Sequence, residues 1–498
     1  MKQTPGSRFT KAWFLGATVV SLILLVVFLV SIVIRRFNGD EGIIGEWAYW
    51  LAKNGEARSM LYYSYFGEKA LSLPIYHKFY TILLSGMIEV FGFQLFFLRI
   101  PSLLAFGGII LLSSIYLRDK KVELFPWYII LGFFLSQSLV FNFAFVARPE
   151  LLMAFLALAV FISLRKFSIT KDWRWALSAG IISGLSFYTH LNGLAIIAAA
   201  GLFLLFHFQW KAIFAFGLSA FALASLFVVD IPGTYMGLLN ELSQAPDVKN
   251  SSFSLGRVLM KIVYEHERFF HNAGLAVFSL ATFLSLAFTW KQQYKQNSDL
   301  LIFTILLVFS LSLITHGKTP KYMLIYIPFM GLIILHAIHF LLSAQSKIKL
   351  LVLSLFLVAG AGISIGNYLK DYPYFVAVEA RNQAMGAQMV KGATVLAHNG
   401  FVFGQMEQFE IRSPIVFFFT NEGFTKNEYD DSFEYLNFAR KENYDYVAID
   451  LLLERKEIRE IFDDERFRAG DSLAGYKLFY KDADFMVFKR LKTGNSGL

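Results

Sequence analysis

Long apolar stretches alternate with short polar segments over most of the chain. About eleven of them approach the roughly 20 residues that a helix needs to cross a bilayer: 13–34, 99–117, 124–146, 151–164, 175–191, 193–209, 212–230, 273–290, 299–315, 322–343 and 348–367. The pattern predicts a polytopic α-helical membrane protein. Stretch 76–97 is also apolar but contains Lys78, Glu89, Gly92 and Gln94, so we interpret it as an interfacial or re-entrant helix.

The pattern changes at the end of the last apolar stretch. The tail 368–498 is polar, with strand-like runs at 394–398 and 444–450 and a charged helical stretch at 453–462. We therefore predict two domains, a transmembrane module (1–367) with a long first outer loop (35–98) and a C-terminal soluble α/β domain (368–498).

Basic residues indicate the orientation of the spans. They are concentrated at the N-terminus and in the connections near residues 118–121, 165–174, 291–295 and 347–349, which the positive-inside rule places in the cytoplasm. Loops 35–98 and 231–271 and the tail then face outward. The first stretch is longer than a signal-peptide core and has no cleavage pattern, so we interpret it as a retained anchor. We expect a multi-pass protein of a bacterial inner membrane with its site facing the periplasm.

Composition agrees with a chain solvated by lipid. Apolar residues make up 56% and charged residues 17%, and Cys is absent, which excludes disulfides and thiolate chemistry. The net charge of +9 lies in short loops without a basic stripe interleaved with aromatic residues, so we expect no nucleic-acid partner. No phosphate-binding P-loop, dinucleotide fingerprint or HExxH motif occurs.

Two candidate groups lie in the first outer loop. Asp40 and Glu41 directly follow the first span, where they either cap a helix or supply a general base for an incoming hydroxyl. Glu68 and Lys69 are adjacent among aromatic residues. They form either a weak surface ion pair or a site in which Lys69 binds a phosphate and Glu68 a sugar hydroxyl.

The remaining candidates lie at the predicted outer ends of later spans. Arg148 and Glu150 flank a proline and either pair with each other or serve a site, since ionisable groups at such depth are costly. The loop with Lys318, Lys321 and Tyr322 suits either interfacial anchoring or a phosphate carried on a lipid. A last candidate, His190, is either a hydrogen-bonded structural group or part of the site.

Together these motifs resemble the GT-C superfamily of membrane glycosyltransferases, in particular its protein O-mannosyltransferase and lipid A aminoarabinose transferase branch. Five segments carry the resemblance: Asp40-Glu41, Phe66-Gly67-Glu68-Lys69 followed by Pro74, Arg99-Ile100-Pro101-Ser102, Ala147-Arg148-Pro149-Glu150, and Lys318 to Tyr322 followed by Pro328. The sequence departs from the family pattern at Glu150, where Asp is usual, and at Ala70, where Pro is frequent.

The resemblance implies an inverting transfer from a polyprenyl-phosphate sugar donor to a hydroxyl of a glycan, lipid or protein acceptor. Asp40 is the expected base, with Glu41 second and Glu150 as a further catalytic candidate. The leaving phosphate would be neutralised by Lys69 and Lys318, assisted by Lys321 or Arg148. No metal cofactor is expected, although Asp40, Glu41 and Glu150 could bind Mg²⁺ or Mn²⁺.

Two other functions also require a charged cavity among apolar helices. One is a transporter or flippase of a lipid-linked saccharide, but the duplicated halves common in transporters are not visible in the sequence. The other is a ligase or polymerase that moves whole oligosaccharides from a lipid diphosphate.

Overall fold

The computed structural model describes residues 8–33, 35–72, 77–122, 125–207, 209–229, 255–315, 318–374, 376–420, 432–454, 456–462 and 467–491. Pro74 of the second resemblance segment lies outside these residues. The chain divides into two compact units. The helical unit comprises the described parts of 1–33, 76–80 and 99–370, and the α/β unit those of 34–75, 81–98 and 371–498.

Helices account for nearly all of the chain before the tail. In chain order they are α1 (Arg8–Val33), α2 (Gly39–Asn54), α3 (Tyr63–Phe66), α4 (Lys78–Phe91), α5 (Leu95–Asp119), α6 (Trp127–Leu135), α7 (Ser138–Phe143), α8 (Glu150–Thr170), α9 (Trp173–Thr189), α10 (Leu194–Phe206), α11 (Trp210–Val229), α12 (Leu255–Val263), α13 (His266–Phe269), α14 (Ala273–Ile314), α15 (Ile327–Ser343) and α16 (Lys347–Asp371). Short 3₁₀ segments cover Met60–Tyr62, Gly67–Ser72, Leu191–Gly193 and Pro320–Ile325. Within the described ranges, six helices are long and apolar enough to cross a membrane; they begin at Arg8, Leu95, Glu150, Trp210, Ala273 and Lys347.

The helices follow the apolar stretches closely, with two differences. Stretch 124–146 is broken into α6 and α7, because Ser136 bonds back to the Phe133 carbonyl and the side chain of Gln137 caps the amide of Val140. Two stretches predicted as separate spans both lie within α14, which consists of two helices joined through a kink where the backbone leaves helical geometry at Thr289 and Asn297. A polar connection between two spans thus remains largely helical.

The tail contributes the sheet of the α/β unit. Its elements are α17 (Val378–Gly386), β1 (Thr394–Ala397), a 3₁₀ segment (Asn399–Val402), β2 (Glu410–Arg412), α18 (Ile415–Thr420), α19 (Ser432–Lys441), β3 (Tyr446–Asp450), α20 (Lys456–Phe462), β4 (Ser472–Leu473), β5 (Tyr476–Lys481) and β6 (Phe485–Arg490). The strand order is β2-β1-β3-β6-β5-β4, with β2, β1 and β3 parallel and the others antiparallel. One face packs α18, α19 and α20 through buried residues such as Val447, Phe488 and Tyr435.

The α/β unit also contains most of the first outer loop. Residues 34–75 and 81–98 cluster with the tail and not with the helices that precede and follow them in sequence. Contrary to the prediction from the sequence, the loop is therefore not part of the transmembrane module, because α2 packs against residues of the tail more than 300 positions away.

Candidate functional site

A buried ion pair joins Arg148 and Glu150 in the helical unit. The Arg148 Nη2 atom donates to Glu150 Oε1 at 2.6 Å, and Nε donates to Oε2 at 3.1 Å. Both side chains are more than nine-tenths buried. Glu150 is the first residue of α8, where a carboxylate also interacts favourably with the helix dipole. The mutual pairing considered from sequence is therefore present.

A second predicted segment fixes the position of this pair. Ser102, from the Arg99–Ser102 segment, donates its hydroxyl to the carbonyl of Arg148 at 3.0 Å, and Tyr80 lies 2.9 Å from the same hydroxyl. The guanidinium of Arg99 lies 5.8 Å from the Phe145 ring centroid. Two motifs separated by about 45 residues in sequence thus form one hydrogen-bonded assembly.

The Tyr322 ring lies near two groups of charged residues. It contacts the ring of His190, with centroids 5.8 Å apart. The His190 ring stacks on His77 at 4.7 Å, and its Nδ1 accepts from the amide of Asn192, so the neutral ring carries its proton on Nε2. Lys321 interacts electrostatically with Arg148 and Glu150, and burial lowers the pKa of its ammonium.

Tyr322 also lies near a cluster of charged residues that the sequence motifs did not predict. The Arg268 guanidinium lies 5.9 Å from the Tyr322 centroid and pairs with Glu265. Lys318 pairs with the same carboxylate at 2.7 Å, and the hydroxyl of Tyr326 donates to it at 2.8 Å. Charged residues within the aromatic run 264–270, directly before a predicted span, were a signal that could have identified Glu265 and Arg268.

These groups carry an excess of positive charge. Four cations (Arg148, Arg268, Lys318 and Lys321) accompany two carboxylates (Glu150 and Glu265), which leaves a net charge of +2. Arg268 has no exposed surface. Because charges in such surroundings are little screened by water, the arrangement favours an anion, and phosphate suits arginine and lysine well.

The α/β unit holds the acidic turn. Asn38 caps α2 by accepting from the amide of Asp40 at 3.1 Å, while Glu41 reaches back to accept from the amide of Asn38 at 2.9 Å. This is a capping box in which Glu41 is fully buried. The capping interpretation therefore applies to Glu41, whereas the carboxylate of Asp40 is partly exposed at the first turn.

The tail holds this turn in place. Asn399, which follows β1, donates from Nδ2 to the carbonyl of Gly39 at 3.3 Å, and its Oδ1 accepts from Ser413 at 2.6 Å. A Cβ atom on Gly42 would lie 2.1 Å from the Asn399 carbonyl oxygen, so only glycine allows this close approach. The carboxyl ends of two parallel strands thereby support the Asp40 backbone.

Glu68 and Lys69 lie on the surface of the α/β unit. The Glu68 carboxylate accepts from the hydroxyl of Tyr63 at 2.9 Å, and Lys69 forms no ion pair with any residue that the structure describes. The surface pairing considered from sequence is therefore not formed, since Glu68 has another partner.

A further carboxyl group of this unit, that of Glu46, connects α2 to the 3₁₀ segment Met60–Tyr62. Its Oε1 accepts from the Leu61 amide at 3.0 Å. The Leu61 carbonyl in turn accepts from the amide of Ser413 at 2.9 Å. Burial raises the pKa of Glu46 to about 8, against hydrogen bonds from Leu61 and Trp50 that lower it. At neutral pH this carboxyl group is therefore mainly protonated.

The raised pKa of Glu46 predicts a pH-dependent stability. Its folded-state pKa of about 8 exceeds the ordinary 4.5, so the folded protein holds more protons between these values and stability falls as pH rises through them. We expect Glu46→Gln, which keeps the acceptor but cannot ionise, to flatten this loss. Thermal unfolding in detergent at pH 5 and pH 8 measures this loss of stability. The control is Glu442→Gln, which changes an exposed carboxylate. A wild-type pH slope retained by Glu46→Gln contradicts the assignment.

The structure thus sorts the predicted residues into two groups. Within the helical unit it brings together Arg148, Glu150, His190, Lys318, Lys321 and Tyr322. Asp40, Glu41, Glu68 and Lys69 belong to the α/β unit. Among the residues that the structure describes, no three His, Asp or Glu side chains approach closely enough to hold a metal ion.

Comparisons with solved structures identify the fold. No protein-family profile and no curated protein sequence matches this chain. ArnT from Cupriavidus metallidurans in the apo state superposes with a TM-score of 0.56 at 13% identity, covering 96% of this chain and 98% of that chain. The same protein bound to undecaprenyl phosphate gives a TM-score of 0.55 at 12% identity, covering 97% and 98%.

A second neighbour is archaeal. The oligosaccharyltransferase AglB from Archaeoglobus fulgidus, in complex with an inhibitory peptide and a dolichol-phosphate, superposes with a TM-score of 0.51 at 12% identity, covering 91% of this chain and 71% of that chain. Both neighbours are GT-C superfamily members. The chain therefore has the same fold as these two GT-C proteins, as the resemblance in its sequence predicted, and is a multi-pass membrane protein.

Proposed function

We propose that this chain is a glycosyltransferase that moves a sugar from a polyprenyl-phosphate donor to an acceptor hydroxyl at the outer face of the membrane. The proposal rests mainly on the net charge of +2 of the residues near Tyr322. It is supported by the fold, which the chain shares with two transferases. Solved structures of those proteins hold undecaprenyl phosphate and dolichol-phosphate.

The leaving group explains the excess of cations. A polyprenyl-phosphate sugar carries one negative charge on its phosphodiester, and the departing polyprenyl phosphate carries a second. Groups that stabilise this developing charge lower the barrier, because they bind the transition state more strongly than the substrate. We assign this role to Arg268 and Lys318, with Arg148 and Lys321 as further cations of the helical unit near Tyr322. Lys69 stays a separate candidate in the α/β unit.

The attacking hydroxyl requires a base. In a single inverting displacement the acceptor oxygen bonds to the anomeric carbon, the bond from that carbon to the phosphate oxygen breaks, and the hydroxyl proton passes to a carboxylate. Asp40 is the better candidate, since Glu41 is buried and already accepts from the Asn38 amide. Glu150 pairs with Arg148 and keeps that cation in position.

A release assay separates a transferase from a transporter. The purified protein in detergent has no membrane to transport across, so only an enzyme liberates polyprenyl phosphate from a panel of polyprenyl-phosphate sugars. We expect release with one donor and an acceptor carrying hydroxyl groups. Donor binding without release, over the whole panel, would favour the transporter or flippase.

The phosphate site can be tested by binding alone. We expect Lys318→Gln to weaken binding of undecaprenyl phosphate about 10-fold, because it removes one of four cations from a weakly screened site. Lys295→Gln, an exposed lysine in the polar connection within α14, is the matched control and should bind like the wild type. Equal affinity of the two variants would remove Lys318 from the phosphate site.

A further inference from the structure

A groove at one end of the sheet in the α/β unit has no part in the proposed chemistry. Its lining includes the basic residues Lys391, Lys477, Lys489 and Arg490 and a single acidic residue, Asp445. Its volume is about 900 Å³, within the usual range of ligand sites. The Asp445 carboxylate accepts from the amide of Thr394 at 3.0 Å. The lining therefore has a net charge of +3.

The cations are arranged in a way that does not favour folding. Lys477 on β5 is directly opposite Lys489 on β6, and like charges at opposite positions of an antiparallel pair destabilise it. Within the described part of the chain, none of the four basic residues forms an ion pair. An unfavourable arrangement of cations without an ion-pair partner among the described residues indicates a ligand that supplies the missing negative charge.

Two aromatic rings lie beside these lysines. The Lys489 ammonium is 5.4 Å from the Phe479 centroid and 6.0 Å from that of Tyr446, its neighbour on β3. Phe479 is the extra residue of a β-bulge, between Leu478 and Tyr480, and about half of its side chain is exposed. Phe479 therefore presents a large, half-exposed apolar ring at the groove.

We infer that this groove binds an anionic saccharide. The cations match carboxylate or phosphate groups on sugars, while an exposed ring offers an apolar surface to the C–H face of a pyranose. A concave lining suits a chain of sugar rings better than the flat surface of a bilayer. If the chain has the proposed transferase activity, this saccharide is part of the acceptor. Binding of the saccharide to the groove does not itself depend on that activity.

Binding to the full chain in nonionic detergent tests the inference without any donor. The probes are hexagalacturonate and a phosphorylated maltohexaose, which distinguish carboxylate from phosphate, and neutral maltohexaose. We expect the wild type to bind one of the two acidic probes but not the neutral one, with affinity that falls as salt increases. Lys477→Gln/Lys489→Gln should weaken binding about 10-fold or more, since it removes two of four cations.

Matched variants separate the groove from a general charge effect. Lys441→Gln/Lys456→Gln makes the same charge change on exposed helical residues outside the groove and should bind like the wild type. Phe479→Ser should weaken saccharide binding several-fold and leave undecaprenyl phosphate binding unchanged. Lys318→Gln should weaken undecaprenyl phosphate binding and leave saccharide binding unchanged. The inference is wrong if both double variants bind equally well, or if hexaglutamate or a single-stranded oligonucleotide binds as tightly as the acidic saccharides.

Discussion

Asp40→Asn lowers the turnover of sugar transfer by about 10²–10⁴-fold, the usual contribution of a general base. The amide has nearly the shape of the carboxylate, and the Asp40 backbone keeps its bond to Asn38. Donor binding should therefore change little, so kcat falls while the donor KM stays similar. Release of polyprenyl phosphate measured against donor and acceptor concentration gives both values.

Glu41→Gln is the matched comparison for Asp40→Asn. Glutamine can still accept from the amide of Asn38, so the capping box and α2 should persist. We expect turnover within a few-fold of wild type. The opposite result, with Glu41→Gln inactive and Asp40→Asn active, would assign the base to Glu41 and overturn our choice.

Glu150→Ala is expected to destabilise the helical unit by about 3–5 kcal/mol, because removal of one partner of a buried pair leaves an uncompensated charge. Arg148 would remain more than nine-tenths buried beside the cation Lys321. Thermal unfolding in detergent should show a midpoint several degrees below that of the wild type. Added undecaprenyl phosphate should recover part of the loss, since its charge replaces the missing carboxylate.

Glu150→Asp is the control for that variant, because it keeps the charge and shortens the side chain by one methylene. Asp is the usual residue at this position in the family that the chain resembles, and we expect Glu150→Asp to keep most of the stability. If Glu150→Ala unfolds at the wild-type temperature, the Arg148–Glu150 ion pair contributes little to the stability of the helical unit, and the prediction is wrong.

Much of the fold follows from physical rules that operate locally. A helix in lipid satisfies its own backbone groups, so apolar length alone predicted α1, α5, α8 and α11 closely. The rule failed at Ser136 and Gln137, where side chains compete for backbone hydrogen bonds within an apolar stretch. Apolar length also predicted the two parts of α14, since the backbone leaves helical geometry at Thr289 and Asn297, close to where the stretches 273–290 and 299–315 end and begin.

The residues of the candidate site were likewise predicted only in part. Short motifs identified Arg148, Glu150, Lys318 and Tyr322, because charge next to apolar helices is costly and therefore conspicuous. Their partners could not be predicted, since Glu265 reaches Lys318 across 53 positions and sits in a run without a known motif. Roles for Asp40 and Lys69 stay predictions, as does the outward orientation of the tail.

The contact between Asn399 and Gly39 has a consequence for biogenesis. It joins residues 360 positions apart, so α2 has no strand end to pack on until nearly the whole protein has been synthesised. Contacts of such sequence separation form slowly. During that interval the first loop has left the ribosome and the intervening helices enter the membrane one by one. Its apolar face needs protection from aggregation throughout, so a chain that stops before β1 should be removed by quality control even with its membrane helices inserted.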